Sequence, residues 1–229
     1  MKLLQTNSIQ QRRFGNILIR HKEIAMKSVR MTGVAAGVLL AMGAGIASAQ
    51  AKDYKIDPNH SEADFSIKHL AISTVHGSFH AVTGVVHFDP ADVTKTSVDA
   101  TIDVSTVSTG IVARDTHLKS ADFFEVAKFP TMTFKSTSVV KAGDHYDLKG
   151  DLTMHGVTKT VTLRMDPPSK AMPGNPGRDG KVLVHYGFAA TTTINRKEFG
   201  LLWDGSPTST GDKLLSDDVK VEIDIDAAG

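Results

Sequence analysis

From Lys52 onward the chain alternates. Val98, Ala100, Ile102 and Val104 are apolar, and Asp99, Thr101 and Asp103 between them are polar. The same period of two runs through Tyr146, Leu148, Leu152 and Met154, through Val157, Val161, Leu163 and Met165, and through Val219, Val221, Ile223 and Ile225. Successive side chains of a strand point to opposite faces, so this pattern describes half-buried antiparallel strands with one face in a core. Eight or nine such segments can be read, with few helical stretches between them. Regularly spaced short strands fold as a sandwich or a barrel, and periodicity does not separate the two.

The breaks between strands carry turn chemistry. Ala142-Gly143-Asp144 joins strands at 132–141 and 144–154, and His155-Gly156 joins the next pair. Asp166-Pro167-Pro168 through Gly180 is rich in proline and glycine and reads as a long irregular loop. At Thr83-Gly84 the apolar parity switches from Phe79 and Ala81 to Val86 and Phe88, which predicts a β-bulge at Gly84. One β-domain over 52–229 accounts for all of this, with no internal repeat.

The run 114–134 stands apart from the alternation. Arg114, Asp115, His117, Asp122 and Glu125 crowd together with Phe123, Phe124, Phe129 and Phe134. Pro130 then forces extended backbone just before a strand. The segment reads as a polar, partly helical lid. Its charged residues have three readings: local salt bridges and caps, a receiver for a ligand head group, or a catalytic acid–base set. No activated nucleophile with a positioned base is visible, so no catalytic residue is assigned.

This run resembles the signature of the YceI-like family. Five further blocks occur in that family's order. They are Tyr54-Lys-Ile56-Asp57-Pro58, His60-Ser61 through Phe65, Ile67 and His69 to Gly77-Ser-Phe79, Gly150-Asp-Leu152 through His155-Gly156-Val157, Ile194-Asn195-Arg196 through Leu201, and Asp218 to Ile223. The resemblance implies a lipocalin-like antiparallel barrel of about eight strands with one or two short helices. It also implies that the barrel holds a long isoprenoid or fatty chain.

On that reading the apolar face becomes the binding wall: Phe65, Ile67, Phe79, Ala100, Ile102, Met132, Phe134, Leu148, Met154, Leu163 and Ile223. The bland reading makes the same side chains an ordinary core, and a barrel of this size admits either. The head-group or lid candidates are Arg114, Asp115, His117 and Asp122. Asn195-Arg196 reads as a strand-end brace. Trp203, the only tryptophan, reads as a rim residue.

No metal is expected. His76 and His80 would suit a helical pair, but on a strand that spacing is about 13 Å, too far to share an ion. No cofactor is expected beyond a bound amphiphilic lipid. The chain has no cysteine, which removes thiol chemistry, Cys-based zinc sites and a lipidated-Cys anchor. Residues 1–49 hold seven of the 26 Lys and Arg and one of the 25 Asp and Glu, leaving 19 basic and 24 acidic side chains, net −5. That balance argues against nucleic acid as a partner. It is compatible with transient membrane contact, and edge strands leave a homodimer open.

The first 49 residues read as an extension plus a cleaved secretory signal peptide, which places the domain in the periplasm. Lys27 and Arg30 precede an apolar run from Thr32 to Ile46, and Ala47-Ser48-Ala49 supplies the small residues of a cleavage site. The run is too short and too rich in glycine and alanine for a good membrane span. Such leaders have short basic starts, so Met26 is a candidate start and residues 1–25 an extension. Cleavage is predicted between Ala49 and Gln50. N-terminal sequencing of exported protein checks this, and an intact chain in the membrane fraction would indicate an uncleaved anchor instead.

Overall fold

The computed structural model describes residues 51–206 and 214–229. The chain divides into residues 1–45 and 46–229, and the described residues all belong to the second unit. The expected leader and its cleavage site lie outside the described residues.

Among the described residues there are eleven strands and one α-helix. In chain order they are β1 (Lys52–Ile56), β2 (Glu62–His69), β3 (Ser73–Phe79), β4 (Val82–Phe88), β5 (Ser97–Asp103), α1 (Val112–Leu118), β6 (Thr131–Ala142), β7 (His145–Met154), β8 (Val157–Met165), β9 (Met172–Pro176), β10 (Val182–Asn195) and β11 (Leu215–Ala228). Every pairing between these strands is antiparallel. The order β1-β4-β5-β6-β7-β8-β10-β11 closes on itself, because β11 pairs with both β10 and β1. The result is the eight-stranded barrel that the family resemblance implied.

Two wall strands of this barrel are interrupted. Both β1 and β2 run antiparallel to β11, β1 opposite Ala227 and Ala228 and β2 opposite Leu215 to Asp224. The connector Asp57–Ser61 steps out of the ladder between them. The Ser61 side chain stands in for the missing rungs: its hydroxyl accepts from the Asp226 N–H at 3.0 Å and donates to the Asp226 carbonyl at 3.3 Å. Likewise β3 pairs with β2 and β4 with β1 and β5, with His80-Ala81 between them. There the Thr106 hydroxyl accepts from the His80 N–H at 3.0 Å and donates to its carbonyl at 2.8 Å. Backbone groups that lose their ladder partners are thus satisfied by side chains.

This break corrects the expected bulge at Gly84. Strands β4 and β5 pair residue for residue from Val82↔Ile102 to His87↔Ser97, straight through Gly84. The parity switch lies at Ala81, whose φ of +57° turns the chain between Phe79 and Val82, both buried. An alanine in that conformation leaves no mark in the sequence. Gly84 is required for a different reason. Its φ is +139°, and a Cβ there would collide with the Asp99 carbonyl and lie 2.9 Å from Ala100 Cα. An actual bulge sits in β6, where register with β7 shifts between Ser136 and Ser138.

The proline-rich segment is also more ordered than expected. Met172–Pro176 forms β9, paired to β10 through Val182, Val184 and His185. Proline cannot donate to a ladder, but β9 is an edge strand with β10 as its sole neighbour, so its prolines leave no rung empty. The two hairpin turns fall where they were read, with positive φ at Gly143, His155 and Gly156.

The β4–β5 end of the barrel is packed shut by aromatics. Phe88 meets Tyr54, Tyr186 and Phe188 edge-on, with centroids 6.2, 4.9 and 5.2 Å apart. Tyr54 and Tyr186 meet at 5.1 Å. Burial, and then the neighbouring Tyr186 hydroxyl, pushes the Tyr54 phenol above its usual range. The opposite end is covered by residues 104–130, which leave and rejoin the wall through a 2.9 Å bond from the Val104 N–H to the Pro130 carbonyl.

Gly84→Ala is predicted to cost about 2 kcal/mol or more, because the colliding partner is backbone that cannot step aside. Urea unfolding of both proteins measures it, and an unchanged midpoint would show that β4 and β5 can spread there.

Candidate functional site

The inward face of the ring does not fill its interior. It encloses a cavity of about 410 Å³. That is within the ordinary range for small-molecule sites. Val86, Met165 and Phe188 form its floor, above the aromatic plug. All eleven residues read from the sequence as an apolar wall line it: Phe65, Ile67, Phe79, Ala100, Ile102, Met132, Phe134, Leu148, Met154, Leu163 and Ile223. The ring of Phe65 lies over Gly77, directly opposite it in β3, where any side chain would displace it.

Strand β10 also lines the cavity, through Phe188, Ala190, Thr192 and Ile194. Sequence reasoning missed this contribution. Its period of two is present, but Thr191-Thr192-Thr193 puts the same side chain on both faces and removes the contrast that reveals a strand's orientation.

The lid end brings together part of the polar cluster. Arg114 and His117 line the cavity, whereas Asp115 and Asp122 do not. The short helix α1 has no side-chain cap of its own at Ile111. Instead Asp115 reaches back from the first turn and accepts from the Thr109 N–H at 2.8 Å and its hydroxyl at 2.6 Å. Arg114 donates through Nε to the Thr109 hydroxyl at 2.7 Å and through Nη2 to its carbonyl at 3.0 Å. His117 Nε2 lies 2.8 Å from Asp122 Oδ2. The His117 side chain is 39% exposed and also lines the cavity, so the cavity reaches the surface beside it.

Aromatic rings complete this end. His117, Phe123 and Trp203 form a triangle with centroids 5.0 to 5.1 Å apart. Phe124 meets Phe79 edge-on at 5.4 Å, and Phe79 meets Phe65 at 5.5 Å. Trp203 therefore stands at the rim, as its position in the sequence led us to expect.

Trp203 is held by Arg196, which follows β10 in a 3₁₀ turn at Arg196–Phe199 capped by the Asn195 side chain. The Arg196 side chain is 3% exposed. Its Nε donates to the Ser216 carbonyl at 2.9 Å, and its Nη1 to the Leu201 and Trp203 carbonyls at 2.6 and 2.8 Å. Its Nη2 bonds Asp204. Lys197 bonds the other oxygen of Asp204 at 2.6 Å. That bond holds the Lys197 ammonium above its usual range and the Asp204 carboxyl below its own. The expected brace is thus a buried guanidinium that fixes three carbonyls on two separate segments.

Outside the cavity, Asp57, His60 and Asp226 place one possible metal-ligand atom each within 4.8 Å of one another. Sequence reasoning missed this group because Asp226 enters it only through β-pairing. Its members are already engaged: His60 bonds Asp57 at 2.7 Å, and Asp226 bonds His185 at 2.7 Å.

This geometry defines a class: an antiparallel β-barrel with a lidded apolar cavity. The chain belongs to the YceI-like family, whose domain matches residues 54–227. It is 41% identical over 171 residues to Protein YceI of Salmonella newport, covering 73% of this chain and 86% of that protein. The solved Campylobacter jejuni YCEI protein is 32% identical with a TM-score of 0.57, over 71% of this chain and 89% of that one. A polyisoprenoid binding domain from Saccharophagus degradans, implicated in plant cell wall breakdown, shares the fold at 15% identity and a TM-score of 0.55, over 78% of this chain and 98% of that one.

Arg196→Met keeps the buried stem but orphans three carbonyls and leaves Asp204 with Lys197 alone. The expected loss of stability is about 3 kcal/mol. Because Trp203 is the only tryptophan, its emission should shift to the red in the folded variant. Unchanged emission and midpoint would show that Arg196 does not hold the rim.

Proposed function

We propose that the protein is a non-enzymatic carrier of the periplasm that holds one long apolar chain inside the barrel. The guest is an isoprenoid quinone, a polyprenyl lipid or a fatty acid derivative. The observation that carries this reading is the unfilled apolar cavity of about 410 Å³, bounded by eight strands and a lid. Membership of the YceI-like family supports it, as does the likeness of fold to a domain described as polyisoprenoid binding. A barrel whose core was closed by side chains, as in the ordinary-core reading, would leave no such space.

Apolar contact is the main source of affinity for such a guest. At about −0.3 kcal/mol per heavy atom, every ten carbons taken into the barrel add about −3 kcal/mol. Flexible Met132 and Met154 in the wall suit a guest of variable shape. The polar residues that an acid–base mechanism would use are engaged in lid structure, Asp115 with Thr109 and His117 with Asp122. Loading from a bilayer would require transient membrane contact at the lid end. Strands β3 and β9, at the two ends of the sheet, are where a second copy would pair.

Native mass spectrometry of periplasmic protein, followed by organic extraction, tests the reading. Ala100→Trp should fill the cavity and sharply lower extracted lipid per folded protein, at a cost of about 1–3 kcal/mol if the ring overpacks. A folded Ala100→Trp protein with full lipid content would overturn the chain-in-barrel reading, as would a product different from the bound lipid.

A further inference from the structure

Two arginines line the cavity, and they differ in how far their donors are used. Arg196 is consumed by three carbonyls and Asp204. Arg114 donates only to Thr109. A guanidinium carries five N–H groups and stays charged at any ordinary pH. Two are used, which leaves three. No carboxylate pairs with Arg114 among the described residues. The two nearest in sequence have other partners: both Asp115 bonds go to Thr109, and Asp122 bonds His117. The half-buried fork is therefore held by Thr109 at the lid end of the cavity, and among the described residues no carboxylate is bonded to it, Asp64 being the one carboxylate that also lines the cavity. A charge partly withdrawn from water is best compensated by a paired anion.

We infer that Arg114 selects the head group, and that the cavity takes amphiphiles ending in an acid, a carboxylate or a phosphate monoester, over chains ending in an alcohol or a hydrocarbon. This rests on the reading of the barrel as a container for one chain. The acid supplies that anion and can accept two parallel N–H bonds from the fork. Helix α1 places His117 three residues on, where it also lines the cavity, so the polar end of the guest meets two nitrogen-bearing side chains. The chain end of the guest points toward the floor at Phe188 and Met165.

The test compares ligands of one chain length on delipidated full-length mature protein at neutral pH: oleate, oleyl phosphate, oleyl alcohol and 9-octadecene. The wild type should bind the two acids about tenfold or more tightly than the alcohol and the alkene. Arg114→Met keeps the packing of the stem and should lose that preference, the four ligands then binding within about threefold of one another. Arg114→Lys, a point charge without the fork, should keep part of it. If Arg114→Met does not fold, Arg114→Gln takes its place. Equal wild-type affinity for all four ligands would overturn the inference and leave the container reading standing, as would an acid preference that survives in Arg114→Met or Arg114→Gln. If none of the four binds, the container reading itself fails, and head-group selection falls with it.

Discussion

The ring is closed by one strand, β11, which has strand neighbours on both of its edges. Strand β11 pairs with β10 from Asp218 to Ala228, and on its other edge with β2 and then β1. Without it the remaining strands form an open sheet with two exposed edges, and the inward face has nothing to enclose. It is also the last segment of the chain, so the pairing that closes the ring joins residues more than 150 positions apart. Closures of such high sequence separation are slow, because loop entropy is lost before contacts repay it. The interrupted strands β1/β2 and β3/β4 lie on that seam. There Ser61 and Thr106 complete hydrogen bonds that a continuous strand would have supplied itself.

A closed ladder explains how an apolar interior can stay unfilled. The wall is fixed by backbone bonds, so side chains cannot collapse inward as they would in a layered core. The inward apolar face therefore lines a space instead of forming a packed core, and Tyr54, Phe88, Tyr186 and Phe188 close one end of the barrel by packing edge-on against one another.

How legible this was depended on the kind of information each feature needs. Alternation is local, so the inward faces of β5, β6, β7, β8 and β11 could be read directly, and all eleven assigned wall residues line the cavity. What escaped was either silent or distant. Ala81 takes a left-handed conformation that nothing in its composition announces. Gly84 looked like the insertion because glycine is the usual marker of one, yet its role is to admit the β5 backbone. The prolines of β9 masked a strand that is stable only because it is an edge. The sequence groups Arg114, Asp115, His117 and Asp122 in one run, but that only Arg114 and His117 reach the cavity was not visible in it. Which of Arg114 and Asp115 faces the cavity is decided by the direction of a single helical turn.

The lid is built differently from the wall. Its polar bonds are short in sequence: Asp115 and Arg114 to Thr109, His117 to Asp122, Ser120 to the His117 carbonyl. They staple residues 109–122 to one another rather than to the barrel. Contact of this stretch with the wall and the rim is largely aromatic, Phe124 on Phe79 and Phe123 with His117 on Trp203, while Ser108 just before it exchanges two 2.9 Å backbone bonds with Ser78 of β3. Non-directional contacts can slide and re-form, whereas a buried hydrogen bond broken midway leaves an unpaired group. The stretch 109–122 is therefore stapled internally and held against the rim by rings, and the Ser78–Ser108 bridge immediately before it is its backbone tether to β3. Trp203 supplies the opposing surface, and Arg196 fixes that surface to the end of β10. On the carrier reading, a chain passing this end meets those rings, and Arg114 sits within the same stapled stretch.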